Sequence, residues 1–256
     1  CFKHQPNAKV VLIGDSNAYH FAVGAKNNSP KNEIVSLTRG GCLPLARFTR
    51  LEQTKSFNNK CLSWNDQVNE LFQTDYPKGR VAVVSAAWLI YLYGDKLYHN
   101  EPKSKLANFG NIVLGYDNFE PIANHQKILE MRQYLINLAN TLSKKFEYVV
   151  ILGPLPPQPF AVASEKRLQF YGHNGTSSKL FYSYAEPLLE VFEEIKSLQL
   201  SNVNVILPHI QLCNAQVKER CVGFVDGEHY YGDEFHVSAI GQYVAYSELF
   251  KYLKNL

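Results

Sequence analysis

Five short aliphatic runs punctuate this chain, and stretches with helical spacing fill most of the sequence between them. Ala8–Ile13, Val81–Ser85, Tyr148–Leu152 and Val203–Leu207 are rich in β-branched residues, the pattern of strands buried on both faces of a parallel sheet. Glu33–Leu37 alternates and reads as a further strand. Ser16–Lys26, Trp64–Phe72, Leu180–Leu198 and Val237–Leu253 read as helices. Pro121–Lys145 is the longest helical pattern, with Ile122, Ile128, Leu129, Leu135, Leu138 and Leu142 on one stripe. Residues 94–120 carry no period and read as a lid-like excursion. Strands alternating with helices from end to end predict a three-layer α/β/α sandwich around a central parallel sheet. No repeat, low-complexity segment or linker divides the chain, so residues 1–256 read as one domain.

Composition narrows the partners. A net charge of +3 gives no reason to expect nucleic acid. The best apolar run, Val81 to Tyr93, is too short for a membrane helix, which needs about 18 residues. The chain opens on Cys1-Phe2-Lys3-His4, without the pattern of a signal peptide, and Cys1 also admits a lipidated reading. No phosphate-cradling glycine loop is present, so no tightly bound cofactor is expected. The five cysteines form no CxxC motif. Local pairing joins Cys42 to Cys61 and Cys213 to Cys221, leaving Cys1 over. Bridges are preferred to five free thiols because these stretches are polar and loop-like.

In a doubly wound sheet, ligands bind outside the carboxyl ends of the strands. The first strand runs into Gly14-Asp15-Ser16-Asn17, which places Ser16 at a helix start. Free backbone N–H groups and the helix dipole there suit an oxyanion formed beside the serine. Alone, a serine in that place is an ordinary N-cap. The last helix is preceded by Asp226–Gly241 (DGEHYYGDEFHVSAIG), in which Asp233 stands three residues before His236. A carboxylate so placed fixes an imidazole's tautomer and stabilises its protonated form. Asp226, His229, Asp233 and His236 also admit a metal reading, but the expectation is no metal.

A Gly-Asp-Ser after the first strand and an Asp-x-x-His before the last helix resemble the SGNH (GDSL-like) hydrolase superfamily. The resemblance implies an SGNH/flavodoxin-like sandwich with Ser16 as nucleophile, His236 as general base and Asp233 as its orienting partner. It also implies an oxyanion hole from the N–H groups of Ser16 and of Gly41 or Gly40, with Gly41 preferred. The family's asparagine block is replaced by Ser85-Ala86-Ala87-Trp88. Gly40-Gly41-Cys42-Leu43-Pro44, Trp88, the late cysteines and Asp233–Ser238 resemble more narrowly the SGNH domains fused to acyltransferase-3 membrane proteins. Those bacterial proteins O-acetylate surface polysaccharides such as lipopolysaccharide O-antigen. Where many members carry histidine after the serine, this chain has Asn17.

That resemblance implies a periplasmic O-acetyltransferase, free-standing or an excised C-terminal domain tethered to the inner membrane by an acyltransferase-3 domain in the same chain. Its acceptor is a polysaccharide, and its acetyl donor is unspecified. A carbohydrate O-acetylesterase and a non-catalytic glycan-binding domain are the alternatives. Asn17, Arg39, Trp88 and Tyr91 are candidate substrate contacts. Tyr93, Tyr230, Tyr231 and Phe235 are further aromatic candidates, with core packing as the other reading of the rings.

Overall fold

The computed structural model describes residues 9–26, 34–51, 55–74, 79–94, 97, 113–116, 120–158, 180–213 and 220–256. In chain order the elements are β1 (Val10–Gly14), α1 (Ser16–Lys26), β2 (Ile34–Thr38), β3 (Phe48–Leu51), α2 (Lys55–Gln73), β4 (Val81–Ser85) and α3 (Trp88–Tyr93). They continue with β5 (Val113–Tyr116), α4 (Lys127–Ser143), β6 (Tyr148–Leu152), α5 (Leu180–Ser197), β7 (Val203–Ile206) and α6 (His209–Leu212). The last are β8 (Phe224–Val225), β9 (Glu228–His229), α7 (Ala239–Ala245) and α8 (Ser247–Lys254).

The central sheet has five parallel strands in the order β2-β1-β4-β6-β7. Side chains alternate across it. Val11, Ile13, Val84 and Ile151 face one core, built with Trp64 and Val68 of α2, Leu89 of α3, Leu135 of α4 and Phe192 of α5. Leu12, Val83 and Val150 face the other, built with Phe21 of α1 and with Ala245, Tyr246 and Leu249 around α7 and α8. Helices therefore cover both faces, as the continuous apolar strands predict. The strand order reverses between β1 and β4, the place beyond whose carboxyl ends ligands bind in sheets of this kind.

Several expectations are corrected. Helix α2 starts at Lys55, nine residues before the predicted Trp64, because Ser56-Phe57-Asn58-Asn59 gives little helical signal. Helix α4 starts at Lys127, and 121–126 form a turn segment before it. Met131, Leu135, Leu138 and Leu142 make its buried stripe, while Leu129 is exposed. The single closing helix is two, broken at the fully buried Tyr246, whose backbone leaves the helical region at φ −109°, ψ 19°. The ring of Tyr246 meets Phe21 edge-on at 5.3 Å. Within the excursion of residues 94–120, Val113–Tyr116 is a strand, pairing antiparallel with β3. Cys1 and most of that excursion lie outside the described residues.

Candidate active site

Strand β1 ends at Gly14, where a Cβ would lie 1.9 Å from the Ser85 carbonyl oxygen of β4. Only glycine lets the two strand ends approach so closely. Asp15 follows and is 1% exposed. Its Oδ1 accepts the Asn17 N–H (2.8 Å), and its Oδ2 accepts the Ala87 N–H (2.8 Å) and the Tyr91 hydroxyl (2.9 Å). One side chain thus ties the turn into α1 to the segment leaving β4, across the point where strand order reverses. Burial raises the Asp15 carboxyl above its ordinary range, against the three hydrogen bonds and the charge of His236. Ser16 is the first residue of α1 and is partly exposed.

The exit of β2 is built with equal care. The Arg39 N–H donates to the Gly14 carbonyl at 2.9 Å, and the Cys42 N–H donates back to the Arg39 carbonyl at 3.2 Å. Gly41, at φ 72°, is the third residue of that turn, where a positive φ favours glycine. The N–H groups of Gly40 and Gly41 have no hydrogen-bond partner among the described residues. A Cys42–Cys61 disulfide pins the turn to α2. Asn65 of α2 then stitches the next segment, donating to the Leu43 and Ala46 carbonyls (3.0 Å each) and accepting the Leu45 N–H (2.8 Å).

The third part is a closed loop before α7. The Ser238 N–H donates to the Tyr230 carbonyl (2.9 Å), and the Gly232 N–H donates to the His236 carbonyl (2.8 Å). Asp233 Oδ1 accepts the N–H groups of Phe235 and His236 (2.8 Å each). Its Oδ2 lies 2.6 Å from His236 Nδ1. Desolvation works against the Asp233 charge. The bonds from His236 and Phe235, with the His236 charge, outweigh it and hold the carboxyl down to about 2. An ionised Asp233 fixes the proton of neutral His236 on Nδ1, leaving Nε2 as the basic atom. Nε2 is buried and has no hydrogen-bond partner among the described residues. Ser238 caps α7 by accepting the Gly241 N–H (3.1 Å), and a Cβ at Gly241 would lie 1.9 Å from the Tyr230 carbonyl oxygen. The Tyr231 hydroxyl donates to the Pro156 carbonyl (2.7 Å) and the Gln158 N–H to the Glu234 carbonyl (2.8 Å), bracing the loop against the exit of β6.

What joins the serine end to the histidine end is a ring stack. His20 of α1 lies on His236 with centroids 4.1 Å apart and planes 22° apart. Ser16 is one turn earlier on the same helix face, since residues four apart are neighbours there. His20, on the helix that Ser16 begins, thus links the two distant motifs.

The candidate substrate contacts fall otherwise. Arg39 is exposed, whereas Asn17 is buried and its Oδ1 has no partner among the described residues. Trp88 and Tyr91 are 1% and 2% exposed, with Trp88 Nε1 donating to the Leu152 carbonyl at 2.8 Å. Both rings pack as core and leave no open face for a sugar. Tyr231 and Phe235 are likewise buried, Tyr93 and Tyr230 partly so. Cys213 and Cys221 form a second disulfide. Among the described residues no group of three or more His, Cys, Asp or Glu is placed to hold a metal, and no helix is long and apolar enough to cross a membrane. Sequence reasoning assigned no role to Asp15, His20 or Asn65. For His20 the four-residue spacing from Ser16 was the available signal.

A family model described as "SGNH domain (fused to AT3 domains)" matches residues 1–246. Among curated proteins, none matches this sequence. One solved structure with the same fold is the periplasmic domain of a lipopolysaccharide acetyltransferase from Salmonella ser. Paratyphi A. It is 14% identical, with a TM-score of 0.57 over 98% of this chain and 85% of that one.

Proposed function

This chain belongs to the SGNH domains fused to AT3 domains, and from that premise we propose that it is a serine-dependent O-acetyltransferase acting on a bacterial surface polysaccharide in the periplasm. The observation that carries this reading is the Asp233–His236 pair, stacked through His20 onto the helix that Ser16 begins.

Ser16 Oγ attacks an acetyl carbonyl while His236 Nε2 takes its proton. The negative oxygen is held by the N–H groups of Ser16 and Gly41, with Gly40 beside them. Collapse expels the donor's leaving group, which takes the proton from His236, and acetyl-Ser16 remains. A sugar hydroxyl then attacks that ester and gives its proton to His236. The second collapse releases the acetylated sugar, and the proton returns to Ser16 Oγ. Asp233 stabilises the charged imidazole in each half. Two disulfides suit an oxidising compartment. An acyltransferase-3 domain in the same protein would deliver the acetyl group from the membrane side.

The partial exposure of Ser16 and Asp233 favours a second reading, in which water is the acceptor and the protein is a carbohydrate O-acetylesterase. The deciding experiment follows acetate release from a chromogenic acetyl ester, with and without an oligosaccharide acceptor, beside Ser16→Ala. Acetylated sugar formed at the expense of free acetate supports the transferase. Serine-dependent release that no acceptor diverts supports the esterase. Turnover unchanged in Ser16→Ala refutes both and leaves a glycan-binding domain.

A further inference from the structure

We propose that His20 is a positioning residue, whose imidazole lies flat on His236 and fixes the plane of the general base. The proposal rests on the reading of Ser16, Asp233 and His236 as the catalytic set. The bond to Asp233 holds one ring atom, Nδ1, at 2.6 Å. A single hydrogen bond leaves the ring free to rock about that atom, and rocking moves Nε2 most. The His20 face at 4.1 Å blocks that motion from one side. Tyr19, its neighbour on α1, meets His20 edge-on at 6.1 Å with planes 89° apart. Because His20 and Ser16 share one face of α1, the same helix carries the nucleophile and the surface against which its base rests.

Two carboxylates bear on this pair. His236 faces His20 from the loop before α7, Asp233 stands in that same loop, and buried Asp15 senses His236 from the end of β1. Burial, then the charge of His236, holds the His20 imidazole below the ordinary histidine range, against the pull of Asp233. A neutral His20 is the form that stacks without repelling the imidazolium made during each half-reaction. A second proton on the pair would place two like charges face to face.

The test compares His20→Phe, which keeps a flat ring without a titrating proton, with His20→Leu, which fills space without one. Both are read by kcat and KM on the chromogenic ester and by nitrogen NMR of the imidazoles over about pH 5 to 8. In His20→Phe the His236 ring signals should stay sharp, with its proton on Nδ1 and kcat within about threefold. In His20→Leu kcat should fall by about tenfold or more with KM within about threefold, because a misplaced base weakens the transition state and not substrate binding. Its His236 ring signals should broaden as the ring rocks, with the proton still held on Nδ1 by Asp233. Equal kcat and equal His236 signals in the Phe and Leu variants would overturn the proposal. If the unmodified protein releases no acetate, the catalytic reading fails, and the His236 signals of the two variants still decide whether His20 orders that ring.

Discussion

Asp233→Asn is the substitution whose consequences the geometry defines best. The new side chain keeps an oxygen for the N–H groups of Phe235 and His236, so the loop should hold its shape. It places an amide N–H, a donor, where Oδ2 now meets His236 Nδ1 at 2.6 Å. To avoid two donors facing each other, neutral His236 must move its proton to Nε2, the atom that should accept from Ser16. Fully buried triad aspartates lose about 10⁴-fold in kcat by this change. Asp233 is 44% exposed at its side chain, and solvent screens part of its charge. A loss of about 10³-fold is therefore expected, or about 4 kcal/mol of barrier at about 1.4 kcal/mol per decade. Stability should barely change, with Tm moving by no more than about 3 °C, the effect of about 1 kcal/mol in a domain of this size. The assay is hydrolysis of the chromogenic acetyl ester at neutral pH beside thermal unfolding of both proteins. A folded Asp233→Asn protein within tenfold of the parent would refute the assignment of Asp233 as the group that sets the His236 tautomer.

Other substitutions and conditions probe the frame around this site. Gly14→Ala should misfold or unfold the domain, since its Cβ would stand 1.9 Å from a strand carbonyl; a soluble variant with unchanged unfolding would contradict the packing of β1 against β4. His209 is 5% exposed and pushed down to about 4, first by burial and then by Lys196. Its folded state resists a proton that the unfolded chain takes up near 6.5, so stability is full above that value and falls by about 3 kcal/mol as the pH drops to about 4. Denaturant unfolding at several pH values should find this slope flattened in His209→Gln, and an unaltered slope would assign the loss elsewhere. Cys42 and Cys61 close a loop of 19 residues, and their bridge should contribute about 3 kcal/mol. Thiol reagents should leave all four bridged cysteines unlabelled until a reductant is added, and ready labelling of the native protein would contradict the bridges.

The strands of the central sheet, most of the helices and the two motif ends were legible in the sequence because each is a local signal. Residues buried on both sheet faces write a continuous apolar run. A strand-to-helix turn writes Gly14-Asp15-Ser16, and a capped loop writes Asp233 to His236. The antiparallel pair β3 and β5 left no such mark, since each strand is four residues long and its partner lies more than sixty residues away. The start of α2 was missed because its first turns hold poor helix formers, and the break at Tyr246 because a kink enforced by packing leaves the apolar period intact.

The sequence by itself determined the layered α/β architecture and supplied the serine, aspartate and histidine that the family resemblance singles out. Only the tertiary structure decided what surrounds them. The strand order β2-β1-β4 sets residue 15 beside residues 87 and 91, which turns Tyr91 from a candidate sugar platform into a donor to a buried carboxylate. The same topology lays α7 and its preceding loop along α1 and brings His20 under His236. Whether an aromatic ring faces solvent, core or another ring depends on contacts made far along the chain. Local periodicity carries no record of those contacts, because it reports which side of an element is buried and not what buries it.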